Sequence, residues 1–578
     1  MNTAPPAIRS HRVWFMICAL SLFTCNAQAK RRPQPAVVPL APNQAALVNQ
    51  AVLREKVTLK QLQKRIPLVQ TYIQIMKPDP RMASVPASDV YMLSRVDFAR
   101  GFGVEGYRQQ TRDTGLVDGS KHALSAISNL LRLNASFAPA GFMQMMFIDA
   151  ADFDRQHYNF EFVRTEFLGS VKTQVFNVTP WAKNEPGRFN GRVWIEDQEG
   201  NVVRFNGIVS GNEVRERPRY LHFDSWRTNP QPGLWLPAAT YVEETHGKKG
   251  DDALDLRAQT TFWGYSLKLP TRESEHASVQ IDDVTDTSDA AQDVSPLQAT
   301  REWVAQAQDN VLDRLVQAGV VAPPSDFDKV METVTNNLII GNKLEMPDAV
   351  HCRVLLTAPL ESLAVGNTIL LSRGLIDVLP YEEDLAAALA FQLAHITLGH
   401  YIDTRYAFND RLLFPDQAAF QRITMNHSER DDAVAAKKAI ELLRNSVYRD
   451  HLANAGLFFK QLQARSKELK ALTTPRLGDS LLNAQGVPWM AELSANAPPL
   501  DPDKLDQVAA LPLGSHLKIN SWDDKVSQLN AKSVPLLNAR DKMPFQLTPI
   551  FFRLTRYTEP ASAAVSATTA PPPPLANP

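Results

Sequence analysis

This chain of 578 residues is poor in cysteine, in net charge and in long apolar runs. It has three cysteines, 61 Lys and Arg against 62 Asp and Glu, and a formal net charge of −1. The near-cancellation leaves no basic footprint for nucleic acid and no global field to steer a charged partner. With 25 glycines in 578 residues, a collagen repeat is excluded. The longest apolar stretch near the N-terminus, Val13 to Leu22, is too short for a comfortable membrane span. Nucleotide and redox signatures are also missing. There is no G-x-G-x-x-G after a strand, no Gly-Lys-Ser/Thr phosphate loop, no C-x-x-C and no G-x-S-x-G elbow. What remains is ordinary globular composition, 44% hydrophobic and 21% charged, on a chain long enough for several domains.

The first 29 residues have the three parts of a secretory signal. Arg9, His11 and Arg12 are basic, the apolar run follows, and Ala27-Gln28-Ala29 offers small residues to a signal peptidase. Cleavage is expected after Ala29, which implies a periplasmic or secreted protein with no transmembrane segment left. An uncleaved anchor is the alternative. A lipoprotein reading through Cys25 fits poorly, because Leu22-Phe23-Thr24 precede it. Cleavage would leave Cys352 as the single thiol, unable to form an internal disulfide. It lies in a strand-like apolar run and is expected to be a buried structural residue.

Composition divides the rest. Residues 30–139 read as a basic, Pro-rich lead-in followed by helix over 45–80, where Leu47, Val52, Leu59, Leu62, Ile66 and Val69 are near helical spacing. Residues 140–270 hold five of the nine tryptophans. They alternate in short runs, with a hairpin signal in Phe189 to Ile195, a turn at 197–201, and Val203 to Phe205. Further strands are expected at Phe160–Val163, Val171–Val178, Tyr220–Phe223, Leu234–Val242 and Leu256–Trp263. Residues 271–297 are a polar, acidic linker. Helical spacing resumes at 298–318, and Ser325 is placed to cap a following helix. Residues 298–465 form a mainly helical domain. Residues 466–558 are an extension packing on the others, with strand content at 543–557. Residues 559–578 are a proline-rich tail expected to be extended and disordered. The fold class is α+β: an antiparallel, curved β-sheet domain followed by a mainly helical one.

Chemistry concentrates after 350. A strand (VHCRVLLTA), a second strand (NTILLSRGL) and an acidic helix start at Tyr381-Glu382-Glu383-Asp384 lead into LAAALAFQLAHITLGH. That helix is apolar nearly all round, so it is buried. Histidines within it need partners, because an unpaired buried polar group costs about 1–3 kcal/mol.

The segment resembles the family-forty-eight zinc metallopeptidases, which include the CAAX prenyl protease and the HtpX type. The matching residues are Gly374-Leu375-Ile376, Glu383-Asp384-Leu385, Leu393-Ala394-His395 and Gly399-His400. Downstream, Asp432, Ala435, Ala436, Ala439, Leu443 and Tyr448 follow the spacing of that family's second helix. The resemblance covers about residues 325–465 and implies a zincin-like fold. The sheet over 140–270 is also similar, more weakly, to periplasmic lipoprotein carriers.

In H-E-x-x-H, histidines at i and i+4 share one helical face and one zinc, and the glutamate takes a proton from the metal-bound water. Aligned on that motif, the first histidine is Phe391 and the glutamate is Gln392. His395 keeps the second ligand position, Asp432 takes the third, and Ala436 replaces the family's following aspartate. Phe391 cannot bind a metal and Gln392 has no carboxylate to accept a proton. Loss of general-base help alone costs ~10²–10⁴-fold in rate. Glu429 and Asp431 compete with Asp432 for the third position. His395 and His400 lie about 140° apart on a regular helix and cannot share an ion without a bend. His427 is near enough in sequence to join a rebuilt set of His395, His427 and Asp432. The simpler expectation is a core histidine at 395 bonded to Asp432 or backbone, and His400 at the helix C-terminus.

The leading expectation is an exported, metallopeptidase-like protein without peptidase activity, with no cofactor, acting on an envelope protein or peptide partner by binding or scaffolding. Two alternatives stand beside it. One is an active zinc metalloendopeptidase with an atypical metal site. The other is a carrier of a hydrophobic ligand through the β-rich domain.

Overall fold

The computed structural model describes residues 39–79, 83–100, 108–109, 136–137, 142–149, 151–182, 187–209, 220–245, 254–265, 296–379, 381–402, 425–500, 517–519, 526–528, 547 and 554–557. The expected signal segment, most of the acidic linker and the proline-rich tail lie outside them.

Helix α1, Pro42–Leu62, starts with proline at its first position, where a missing N–H costs nothing. Leu47, Val48, Ala51, Val52, Glu55, Thr58 and Leu62 are its buried face, at the spacing of three and four that a helical stripe requires. The expected helix ends there. From Leu68 to Asp79 the chain is a strand, β1, paired with β2 over Ala83–Arg95. Ile66 and Val69 fitted a helical count, but the run from Val69 to Ile75 is rich in β-branched and aromatic residues whose side chains alternate between faces. Sheet pairing decided the outcome.

Seven more strands follow: β3 (Tyr158–Leu168), β4 (Val171–Pro180), β5 (Phe189–Glu196), β6 (Val202–Val209), β7 (Tyr220–Gln231), β8 (Leu234–Thr245) and β9 (Leu254–Trp263). All five strands expected after 158 are present, and so is the 189–205 hairpin. The nine strands form one antiparallel sheet, ordered β2-β1-β9-β8-β7-β6-β5-β4-β3. The sheet therefore draws two strands from the lead-in, so its domain begins well before residue 140.

Both faces of the sheet are covered. On one, Phe189, Phe205 and Phe223 meet with ring centroids 5.9–6.0 Å apart, under Leu47, Val48 and Ala51 of α1. On the other, Trp194, Trp226, Trp235 and Leu554 pack with Val171, Val175 and Val203. The Arg204 guanidinium lies over the rings of Trp194 and Trp226 (4.3 and 4.5 Å) and makes two 2.9 Å bonds to Asp224. The C-terminal residues 554–557 cross this face. Leu554 accepts from the Ser170 amide, and Arg556 reaches Glu196 at 2.8 Å. The aromatics fill the sheet's own cores, as side chains of this size ordinarily do.

The second half begins with α2 (Pro296–Gln317) and α3 (Asp326–Gly341). Ser325 is the N-cap of α3, and its amide donates to Asp328 at 2.8 Å. A four-stranded sheet follows, β10 (His351–Leu355), β11 (Glu361–Val365), β12 (Thr368–Ser372) and β13 (Asp479–Ser480), ordered β10-β12-β11-β13. Strands β10 and β12 are parallel, while the other pairs are antiparallel. Gly374 opens a short helix, α4 (Arg373–Val378), rather than a free turn. A side chain at 374 would collide with the Ala358 carbonyl, 1.7 Å from an ideal Cβ, so only glycine fits.

Helix α5, Glu382–Leu398, runs through the centre of this half, with every residue from Asp384 to His395 buried. It packs against α6 (Glu429–Arg444), α3, α7 (Leu452–Arg465) and β11. Two short helices, α8 (Lys470–Thr473) and α9 (Ala491–Ala495), complete it. The two halves meet through β1 and β2. Leu68, Tyr72, Tyr91 and Leu93 join the helical core. Asp89 accepts the amides of Ala471 and Leu472 at the start of α8 (2.7 and 2.8 Å), and Gln70 accepts that of Ala358 at 3.0 Å. The molecule is thus α+β, with a large antiparallel sheet and helices. Among the described residues no helix is long and apolar enough to cross a membrane.

Candidate functional site

Helices α5 and α6 lie side by side, and the sequence-selected residues meet where they touch. His395 is on the last buried turn of α5, and Asp432 is on the first turn of α6. His395 Nε2 is 3.4 Å from Asp432 Oδ1. Of the three acids competing for this position, Asp432 is the one turned inward, at 6% exposure. Asp431 bonds Ser428 instead, and its side chain is 35% exposed.

Two further residues complete the cluster. His427 lies just before the Ser428 N-cap of α6, and its ring stacks on that of His395 with centroids 3.8 Å apart. Asp479, on β13, accepts from His427 twice, at Oδ2 from Nδ1 and at Oδ1 from the backbone N–H, both at 2.7 Å. His395, His427, Asp432 and Asp479 each offer one donor atom within 4.8 Å of the others. All four are buried, His395 fully and His427 to within 2%.

Phe391 is also fully buried. Its ring meets the edge of His395 at 5.0 Å, one helical turn away, where the resemblance would place a first ligand. Gln392 is buried with its amide nitrogen donating to Ser362 Oγ at 2.7 Å and to Asp479 Oδ2 at 3.1 Å. The residue at the general-base position is therefore a hydrogen-bond donor. A zinc held through positions 391, 395 and 432, with a base at 392, does not fit these side chains.

His400 follows Gly399, whose φ of +67° caps α5 in the left-handed region that glycine adopts without strain. That bend brings His400 back over the helix end, with its Nδ1 3.1 Å from His395 Nδ1. A regular helix would have kept the two rings apart, and the αL cap supplies the bend the spacing required.

Burial sets the electrostatics. It pushes His395 down to about 3, helped by the neighbouring His427. It pushes Asp432 up to about 8, helped by Asp479 and Asp431. Desolvation disfavours the charged form of each of these two groups, so burial favours a neutral His395 and a protonated Asp432. Among the described residues, His395 Nε2, His427 Nε2, Asp432 Oδ1 and Gln392 Oε1 are buried with no hydrogen-bond partner.

Sequence reasoning reached Phe391, Gln392, His395, His427 and Asp432 and missed Asp479. Asp479 lies 52 residues beyond His427 in a two-residue strand with no periodic signal. Glu361 was missed as well. Its Oε2 accepts the amides of Arg476, Leu477 and Gly478 and thereby fixes the turn that presents Asp479.

No family model and no curated protein matches the chain. Among solved structures it is similar to one described as a DUF1329 family protein from Desulfovibrio piger, at 12% identity. The match covers 41% of this chain and 98% of that one, with a TM-score of 0.19. A likeness of that size bears on neither the site nor its chemistry.

Proposed function

We propose that this is an exported metallopeptidase-like protein without peptidase activity, acting in the cell envelope by binding or scaffolding. The observation that carries the reading is Gln392. Its amide nitrogen is committed to Asp479 and Ser362, so the position a peptidase gives to its proton acceptor holds a donor. Phe391 supports it by filling the first-ligand position with a core ring. The intact α5 and its contact with α6 through His395 and Asp432 are what the metallopeptidase resemblance leads one to look for.

A second reading is kept for one observation. Four ligand-type side chains converge beside His395, which is what an active zinc endopeptidase with an altered centre would need. The hydrophobic-ligand carrier has less behind it, since α1 and the phenylalanines occupy the face of the sheet that would have held the ligand.

The deciding experiment incubates the purified full chain with an unfolded protein substrate, with and without added zinc. No cleavage is expected in either case. Zinc-dependent cleavage that disappears in His395→Ala would establish the endopeptidase and end the scaffolding reading.

A further inference from the structure

We propose that His395 Nε2, His427 Nε2 and Asp432 Oδ1 together hold one divalent first-row transition cation, zinc being the natural candidate, in a buried site that ties the surrounding elements together. The ligand set differs from an H-E-x-x-H centre. One histidine comes from α5, one from the segment leading into α6, and the carboxylate from α6 itself. The proposal goes beyond the scaffolding reading and does not depend on it.

Three observations converge. The first is the orphaned atoms. His395 Nε2, His427 Nε2 and Asp432 Oδ1 are buried without partners, each on a side chain at least nine-tenths buried. Such atoms in a native core call for a water, an ion or a functional explanation. The second is spacing. His395 Nε2 and Asp432 Oδ1 are 3.4 Å apart. Two ligands on a tetrahedral zinc at its usual bond lengths stand about 3.3 Å apart. The third is the outer ring of bonds. His427 Nδ1 donates to Asp479, which places the lone pair of that imidazole on Nε2. Asp479 has both oxygens engaged, by His427 and Gln392, so it orients a ligand rather than serving as one. His400 Nδ1 contacts His395 Nδ1 in the corresponding place on the other histidine.

The ligands are 0–6% exposed, so the cation would be buried, with three protein ligands and a fourth position left for water. A cation here joins α5, the chain before α6 and, through Asp479, β13. Its work is to hold those elements together.

The test uses the full chain, refolded or purified without chelator, and reads metal content and binding of Co²⁺ by its visible absorption. One ion per chain is expected, with a rise in melting temperature on adding Zn²⁺ to chelator-treated protein. His427→Ala should weaken Co²⁺ binding at least ~100-fold, and Asp479→Asn about 10–100-fold, the usual effect of losing an orienting partner. Tryptophan fluorescence of the large sheet serves as the folding control. If His427→Ala does not fold, Asp432→Asn, which keeps volume, reads another ligand of the same site. Chain that binds no Co²⁺ and gains no stability from Zn²⁺ overturns the proposal. So does binding that survives His427→Ala and Asp432→Asn, because the ion would then sit elsewhere. Neither result touches the absence of cleavage, so the two readings fail separately.

Discussion

Gln392 and Asp479 are bonded through an amide that only a glutamine can supply. The nitrogen donates to the carboxylate at 3.1 Å inside a core where both residues are buried. This bond explains why restoring a peptidase-like glutamate is not a neutral change. Gln392→Glu would place two carboxylates against each other without water to screen them, and one buried unpaired charge is strongly destabilising. A loss of about 3 kcal/mol is expected at pH 8, shrinking at pH 5 as one carboxyl takes up a proton. Thermal melts at the two pH values check it. An unchanged melting temperature at pH 8 would mean the amide bond is not what holds Asp479.

The α1 helix is tied to the large sheet by a buried ion pair. Arg227 on β7 donates to both oxygens of Glu55, at 2.5 and 2.8 Å. Removing one member of such a pair strands the other. Glu55→Ala should therefore cost about 3–5 kcal/mol, while replacing both residues with apolar side chains of similar volume should cost much less. Denaturant melts of the single and double variants separate the two outcomes, and equal losses would contradict the stranded-charge account.

Asp384 gives the fold a pH dependence. It caps its own helix by accepting from the Tyr381 amide at 3.1 Å, and burial pushes it up to about 8, with Glu383 adding to the rise. A carboxyl raised in the fold above its unfolded value binds more protons folded than unfolded. Its contribution to stability therefore falls as pH climbs from about 4 to about 8, then levels off. Asp384→Asn keeps an acceptor for Tyr381 and removes the charge. The variant should gain on the parent by on the order of a few kcal/mol at pH 8.5 and by little at pH 4.5. A gain independent of pH would assign the effect to something other than ionisation.

Alternation made most of the large sheet legible. Phe189, Val193 and Phe205 signalled strands because a half-buried strand has no other way to bury one face. Strand β1 was not legible, because Leu59, Leu62, Ile66 and Val69 continue a helical count across the end of α1, and only pairing with β9 and β2 breaks it. The site divides the same way. His395 and Asp432 sit on two long helices whose spacing could be matched, and His427 lies close to one of them. Asp479 and Glu361 act through contacts across 52 and 115 residues or more, and no local pattern encodes such pairings. The αL bend at Gly399, which turns His400 toward His395, was visible as a glycine but not as a geometry.

Cys352 is the thiol the sequence placed in a strand, and its surroundings make it inert. It lies on β10 with no exposure and sits 3.5 Å from the Thr335 hydroxyl. Burial pushes its thiol up to about 12 against the opposing bond from Thr335, with smaller upward contributions from Glu332 and Asp328. The nucleophile is the thiolate, so both access and ionisation protect it. Alkylation of the native protein at pH 8 followed by peptide mapping should leave the peptide bearing Cys352 unmodified, and the same reagent in denaturant should modify it fully. Because β10 also carries the parallel pairing to β12, the rate of that modification reports opening of the small sheet. Rapid native labelling would mean that this half of the molecule opens far more readily than its buried core implies.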